Sequence, residues 1–283
     1  MEDFATYILE ERDLSQKMLI TYYLSKKTGI FFDKSIVLKA EIAKLFIEYM
    51  EINVDENLVL TAMLLCNCKK IENAQKIGKL ETFAKEGAEY LSTLGFNKRF
   101  CKICEEVNRY SESSPREKES DILEVVDQFT GLILNRVERE AFTTQEALVV
   151  LKERNLKYVD NRYMDLFMKF VKDLEEITIK ETIEVPIIKK LVHLHNKEAN
   201  VKTFIAILAN RYSDRINEAI RQNMKKKAKE ILEKESEQKS EIKTDMEKMK
   251  ELAAKNKKSN RALFSDDIAE KVLNHKSNYK VEE

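Results

Sequence analysis

The chain is short of the residues that make tight turns. Its 283 residues hold five glycines and two prolines, against ordinary usage of roughly 7% and 5%. Sandwiches, barrels and propellers need many turn residues, so these folds are excluded, as are collagen-like and low-complexity chains. Tryptophan is absent and histidine occurs three times, which limits imidazole-based metal binding and acid–base chemistry from the outset. No excess of one charge exists, because fifty Lys and Arg face fifty Asp and Glu. A globally basic binder is not indicated, and nucleic acid is not expected as a partner. The longest uncharged apolar run, Leu58 to Cys68, is far too short to span a bilayer. The opening, MEDFATYILEERDLS, lacks a basic flank followed by an apolar stretch, so no signal peptide is expected. Four cysteines in a chain of this length read as reduced thiols, and the expectation is a soluble, cytoplasmic protein.

What is present is helical periodicity nearly everywhere, and the expected fold class is all-α. Residues 1–33 form an N-terminal helical segment, with Phe4, Ile8, Leu14, Met18, Leu19 and Tyr22 at helical spacing and Gly29 as its stop. Residues 34–50 place Val37, Ile42, Leu45, Phe46 and Met50 on one broad face. Residues 55–70 are apolar almost all round and read as a central buried helix. Further helices are expected over 79–93 and from Phe96 to about Tyr110. SESSPREKES at 111–120 reads as a loop, followed by a helix capped by Ser120 or Asp121. Thr143 or Thr144 caps the next helix, with Glu146 in its first turn, and residues 160–175 make one more. Residues 176–198, with alternating apolar positions and Pro186, read as a short extended linker.

From about Ala199 to residue 258 the pattern predicts a long charged helix or weak coiled-coil arm. Met224, Ala228, Ile231, Ile242, Met246, Met249 and Ala253 fit a 3–4 spacing, interrupted by Glu235 and Gln238. Residues 221–258 hold 13 Lys and Arg against 8 Asp and Glu, which reads first as a solvated helix face. Residues 259–283 form a tail. A protein partner or self-association through the C-terminal helix is the expected use of this arm.

The middle of the chain resembles the HD superfamily, specifically its HD-GYP branch, over about residues 34–172. The resemblance implies an HD-like helical bundle over residues 34–175. Active members are metal-dependent phosphohydrolases that cleave cyclic di-GMP. Their hallmark helix ends in Leu-Leu-His-Asp-Ile-Gly-Lys, where this chain reads TAMLLCNCKK. Cys66 stands at the metal-binding His, Asn67 at the Asp, and Lys70 matches the Lys. The run DILEVVDQFTGLILNRVEREAFTTQEALVVLKE is the closer match. By that resemblance Asp127 falls on the final metal-binding Asp, Arg136 and Arg139 fall on the two arginines, and Thr130 replaces a second Asp. Asp160 and Phe167 continue the match.

The other ligand positions depart from the family. Ser35 lies near an upstream His position, Phe83 stands at another, and Gly87 keeps the family's glycine. The paired-His segment reads EEVNR at 105–109, and SESSPREKES replaces the Gly-Tyr-Pro loop. A di-metal hydrolase needs several imidazoles and carboxylates to hold its cations and acidify a water. Asp127 alone cannot do this, so the expectation is a catalytically inactive, regulatory or scaffold protein with no cofactor. One alternative is a cyclic dinucleotide receptor using Asn67, Asp127, Arg136 and Arg139, whose guanidinium forks could hold a phosphate. Surface salt bridges to Glu138 and Glu140 are the plainer reading of the two arginines. A second alternative is a phosphodiesterase with a rebuilt metal site.

Cys66, Cys68, Cys101 and Cys104 form C-x-C and C-x-x-C pairs, a spacing that can bind zinc or an iron–sulfur cluster. On a helix, residues two apart diverge, so buried apolar thiols are the favoured reading. Cys66, Cys104 and Asp127 remain the candidate ligands for a rebuilt site. His193 and His195 diverge likewise if helical.

Overall fold

The computed structural model describes residues 4–70, 83–107, 116–136, 139–157 and 161–263. Among these it holds twelve α-helices and a single two-stranded sheet. The chain divides into two compact units, Met1–Arg221 and Gln222–Glu283.

The first unit opens with α1 (Phe4–Glu10), α2 (Leu14–Thr28), α3 (Lys34–Tyr49) and α4 (Glu56–Leu65). Asp13, Asp33 and Asp55 start the last three, each accepting backbone N–H groups of the first turn. Gly29 ends α2 at φ +73°, and its N–H returns to the Ser25 carbonyl. Helix α3 lies at the centre, with every residue from Ile36 to Ala43 buried. The one-faced pattern expected there is too narrow, because neighbours pack on it from several sides. Residues 58–68 are buried without a break, as their all-round apolarity predicts.

Next come α5 (Phe83–Thr93), α6 (Lys98–Glu105), α7 (Lys118–Ile133), α8 (Thr144–Lys157) and α9 (Met164–Glu176). Helix α7 begins earlier than expected. Its N-cap is Glu117, without a side-chain cap bond, and neither Ser120 nor Asp121 caps it. The buried Glu106 carboxylate serves instead, accepting the Glu117 N–H at 2.8 Å and the Ser120 hydroxyl at 2.8 Å. Thr143 and Glu146 form the expected capping box, with bonds of 2.9 and 3.3 Å. Phe46 from α3 meets Phe167 edge-on at 5.0 Å, and Phe129 meets Phe167 at 5.3 Å. These aromatic contacts tie α3, α7 and α9 together. Asp160, the residues of SESSPREKES up to 115, and the far parts of the expected 79–93 and 96–110 helices lie outside the described residues.

Residues 176–198 are not a linker. Strands β1 (Thr178–Lys180) and β2 (Glu184–Pro186) pair antiparallel, with Ile179 opposite Val185. Helix α10 (Ile187–Lys197) follows and buries Ile187, Ile188, Leu191 and Leu194. The alternating pattern marked strands correctly, but their apolar faces are folded onto the body. Nor does the separate arm begin near residue 199. Helix α11 (Val201–Ile207) and a π-helical turn (Leu208–Tyr212) lead into α12 (Ser213–Leu263). Phe204, Ile205, Leu208, Tyr212 and Ile216 are buried in the first unit. The second unit, from Gln222, carries α12 onward as a helix with Met224, Ile231, Met246 and Met249 exposed. Among the described residues no helix is long and apolar enough to cross a membrane.

Candidate functional site: a lysine–aspartate pair between two helices

Helix α3 and helix α7 lie side by side, and one charged residue from each meets between them. Lys39 Nζ stands 2.7 Å from Asp127 Oδ1, with the lysine side chain 4% exposed and the aspartate 22%. Asn67, in the turn after α4, donates its Nδ2 to the same carboxylate oxygen at 3.0 Å. Asn67 Oδ1 and Thr130 Oγ1 are buried, and neither has a hydrogen-bond partner among the described residues. Thr130 lies one turn beyond Asp127 on α7.

The charges order themselves accordingly. Burial opposes the charge on Asp127, but Lys39, Lys70 and the hydrogen bonds from Lys39 and Asn67 outweigh it and hold the carboxyl well below its usual range. Burial also opposes the Lys39 ammonium, yet Asp127 keeps it above its ordinary value. Lys70 is pushed down, chiefly by the like charge of Lys39 and, less strongly, by Arg136. Its Nζ lies 5.7 Å from the centre of the Phe83 ring. Burial and the Asp127 charge drive the Cys66 thiol far above its normal range.

Sequence reasoning placed Asn67 and Asp127 together, and the structure brings them into contact. Lys39 escaped it. The one available signal was a lysine inside IVLKAEIAKLFI, on the helical face that also carries Ile36 and Ala43. The candidate trio Cys66, Cys104 and Asp127 is not assembled: among the described residues no three His, Cys, Asp or Glu converge in a metal-holding group. All four cysteines are free, and Cys66, Cys68 and Cys104 are buried. Gly87 lets α5 close on the turn after α4, since a Cβ there would stand 3.3 Å from Cys68 Sγ. Ser35 donates its hydroxyl to the capping Asp33 at 2.6 Å, and Phe167 belongs to the core.

Both arginines fold back on the end of α7. Their backbones pair across a short bridge, with Arg136 N–H donating to the Arg139 carbonyl at 2.8 Å. The Arg139 guanidinium donates to the carbonyls of Gly131 at 2.8 Å, Leu132 at 3.1 Å and Glu140 at 2.6 Å. It also covers the Phe142 ring. It therefore closes the C-terminal end of α7; Glu138 lies outside the described residues. Arg136 lies across Gly131, whose missing side chain makes room for its Nη2. His193 is exposed and His195 half-buried on α10, so they diverge. Burial lowers the His195 imidazole, whose ring packs edge-on against Phe204.

A second polar cluster was also missed. Arg116 Nη1 lies 2.8 Å from Glu124 and 3.3 Å from Asp121, all three side chains 7% exposed or less. Arg162 reaches Asp121 at 2.5 Å, and Asn161 donates to Glu124 at 3.2 Å. This network fastens the start of α7 to the start of α9. Separately, a groove of about 700 Å³ between α8 and α9, lined by Leu148, Val149, Met168 and Val171, shares no residue with the Lys39–Asp127 pair.

No family model, curated protein or solved structure matches the chain.

Proposed function

We propose that the chain is a non-catalytic HD-GYP-like protein that acts as a regulatory or scaffold interaction partner through its helical body and C-terminal helix. The supporting observation is the Lys39 ammonium 2.7 Å from Asp127. The resemblance puts a metal-binding carboxylate at that position. Here a tethered monovalent cation satisfies it. An ammonium balances charge and donates hydrogen bonds, but it has no open coordination site at which to acidify a water. Asn67 offers a neutral amide, and the Cys66 thiol is held protonated by burial and Asp127. The test is a phosphodiesterase assay of the full chain with cyclic di-GMP and added manganese or iron, alongside elemental analysis. No turnover and no stoichiometric metal are expected. Steady turnover abolished by Asp127→Ala would establish the rebuilt-enzyme alternative instead.

One observation favours the receptor reading as a second choice. Lys39 and Lys70 both act on the Asp127 carboxylate, and Arg136 lies close enough to Lys70 for its charge to lower it. Calorimetry with cyclic di-GMP separates the readings. Binding that is lost in Lys70→Ala and Arg136→Ala supports the receptor, and absence of heat supports the scaffold.

A further inference from the structure

The helix beyond residue 222 presents apolar side chains to solvent: Met224, Ile231, Met246 and Met249 are 44% to 72% exposed. Their spacing carries information about what covers them. By sequence, Met224, Ala228, Ile231 and Glu235 recur eighteen residues later as Ile242, Met246, Met249 and Ala253. Eighteen residues make five turns at 3.6 residues each, so both quartets share one face of a straight helix. The two quartets are also mirror images in spacing. Positions 224 and 253, 228 and 249, 231 and 246, and 235 and 242 all straddle the same midpoint, between Gln238 and Lys239.

We propose that this face is an interface with a second copy of the chain, running antiparallel about a two-fold axis at residues 238–239. By sequence, that register pairs position 224, a methionine, with position 253, an alanine, and position 228, an alanine, with position 249, a methionine. Position 231 pairs with position 246, and position 235 with position 242. Parallel pairing sets Ala228 on Ala228, Met249 on Met249 and Glu235 on Glu235, which leaves a gap, a crowded layer and a like-charge contact. A two-fold interface is self-complementary by definition, and a palindromic seam is the form such a requirement takes on a single helix. Lys227 and Lys250 fall at the same level of the pair and repel each other, so the association is measured in moderate salt. The inference names the partner of the arm in the proposed scaffold, and it stands whether or not the body is an inactive hydrolase.

The test is light scattering of the full chain and three variants. The wild type is expected to be a dimer. Ile231→Glu and Met246→Lys are each expected to weaken dimerisation at least tenfold. The double variant Ile231→Glu/Met246→Lys is expected to recover it, because each glutamate then meets a lysine across an antiparallel pair. In a parallel pair glutamate meets glutamate and lysine meets lysine, and the double variant stays dissociated. A wild-type monomer, or a double variant no better than the singles, overturns the proposal. Neither outcome touches the phosphodiesterase and metal measurements, which test the body alone.

Discussion

Replacing Lys39 by methionine keeps its length and most of its volume and removes its charge. What remains is a carboxylate between α3 and α7, held by one amide donor from Asn67 at 3.0 Å. Breaking a buried pair by removing one partner destabilises by roughly 3–5 kcal/mol. Asp127 is 22% exposed at its side chain, so the lower end applies, about 3 kcal/mol. For a body of this size that lowers Tm by about 6–12 °C. The loss depends on pH in a definite direction. In the wild type the carboxyl is depressed, so its contribution is present above the unfolded value of about 3.9 and fades only as pH falls below it. In Lys39→Met burial still opposes the charge, and only Lys70 and the Asn67 amide remain to offset it, so the carboxyl rises from its wild-type position. The deficit of the variant is therefore largest where Asp127 is fully ionised and shrinks as pH falls through the carboxylate range, because protonation removes the charge that has lost its partner. Thermal denaturation of both proteins at pH 7 and pH 4 checks this. A deficit that stays constant between the two pH values, or one below about 1 kcal/mol at pH 7, refutes the claim that the pair is buried and coupled. A double-mutant cycle with Asp127→Asn sharpens it. The double variant is expected to be more stable than Lys39→Met, because the second substitution removes the charge that has lost its partner.

Other consequences are independent of that site. Lys17 is fully buried, and its Nζ donates to the Ile8 carbonyl and the Thr61 hydroxyl at 2.5 Å each, with no carboxylate bonded to it among the described residues. Burial pulls it down to about 8. Since the unfolded lysine titrates near 10.4, stability rises between about pH 8 and pH 10.4 by an amount on the order of 3 kcal/mol. Lys17→Met should abolish that rise in denaturant titrations, and a wild-type curve that is flat over this range contradicts the burial argument. Arg116→Met leaves Asp121 to Arg162 and Glu124 to the Asn161 amide, and because Glu124 loses its ion pair the substitution should lower stability by about 3 kcal/mol. Because the network fastens α7 to α9, hydrogen exchange should quicken at the start of α7 before it quickens in α4, and uniform exchange across both helices would count against a local role.

The legibility of this chain follows from how many neighbours each helix has. Some helices announce themselves: α2 ends at Gly29, α8 begins at its Thr143–Glu146 box, and α4 is apolar all round because it is covered all round. Segment 176–198 misled because Pro186 and alternating residues mark extended backbone without saying whether it is packed. Burial of Ile179 and Ile187 decides that, and burial is a property of the tertiary fold. Lys39 illustrates the deeper limit. On a one-faced helix a lysine marks solvent, yet α3 is surrounded, and there the same residue marks a buried partner. Its partner lies 88 positions away on α7, beyond the reach of any local pattern.

On the proposed HD-GYP-like reading, the same pair bears on whether a metal site could be opened here. A single substitution that removes Lys39 vacates the position of its ammonium but supplies no ligand. Asp127 and Asn67 then offer one charged and one neutral oxygen donor, while Ser35 is committed to the Asp33 cap and Phe83 has nothing to donate. Hard cations take six or more oxygen donors, and a catalytic zinc site takes three protein ligands. Lys39→Ala with added manganese should therefore show no phosphodiesterase turnover and little thermal protection. A Tm gain of several degrees at millimolar manganese, lost again in Lys39→Ala/Asp127→Ala, would mean that the lysine alone had been keeping a competent metal site closed. Without that gain, Lys39 is the charge partner of Asp127 and nothing more, and the proposed reading stands: catalysis there would need several ligands supplied together.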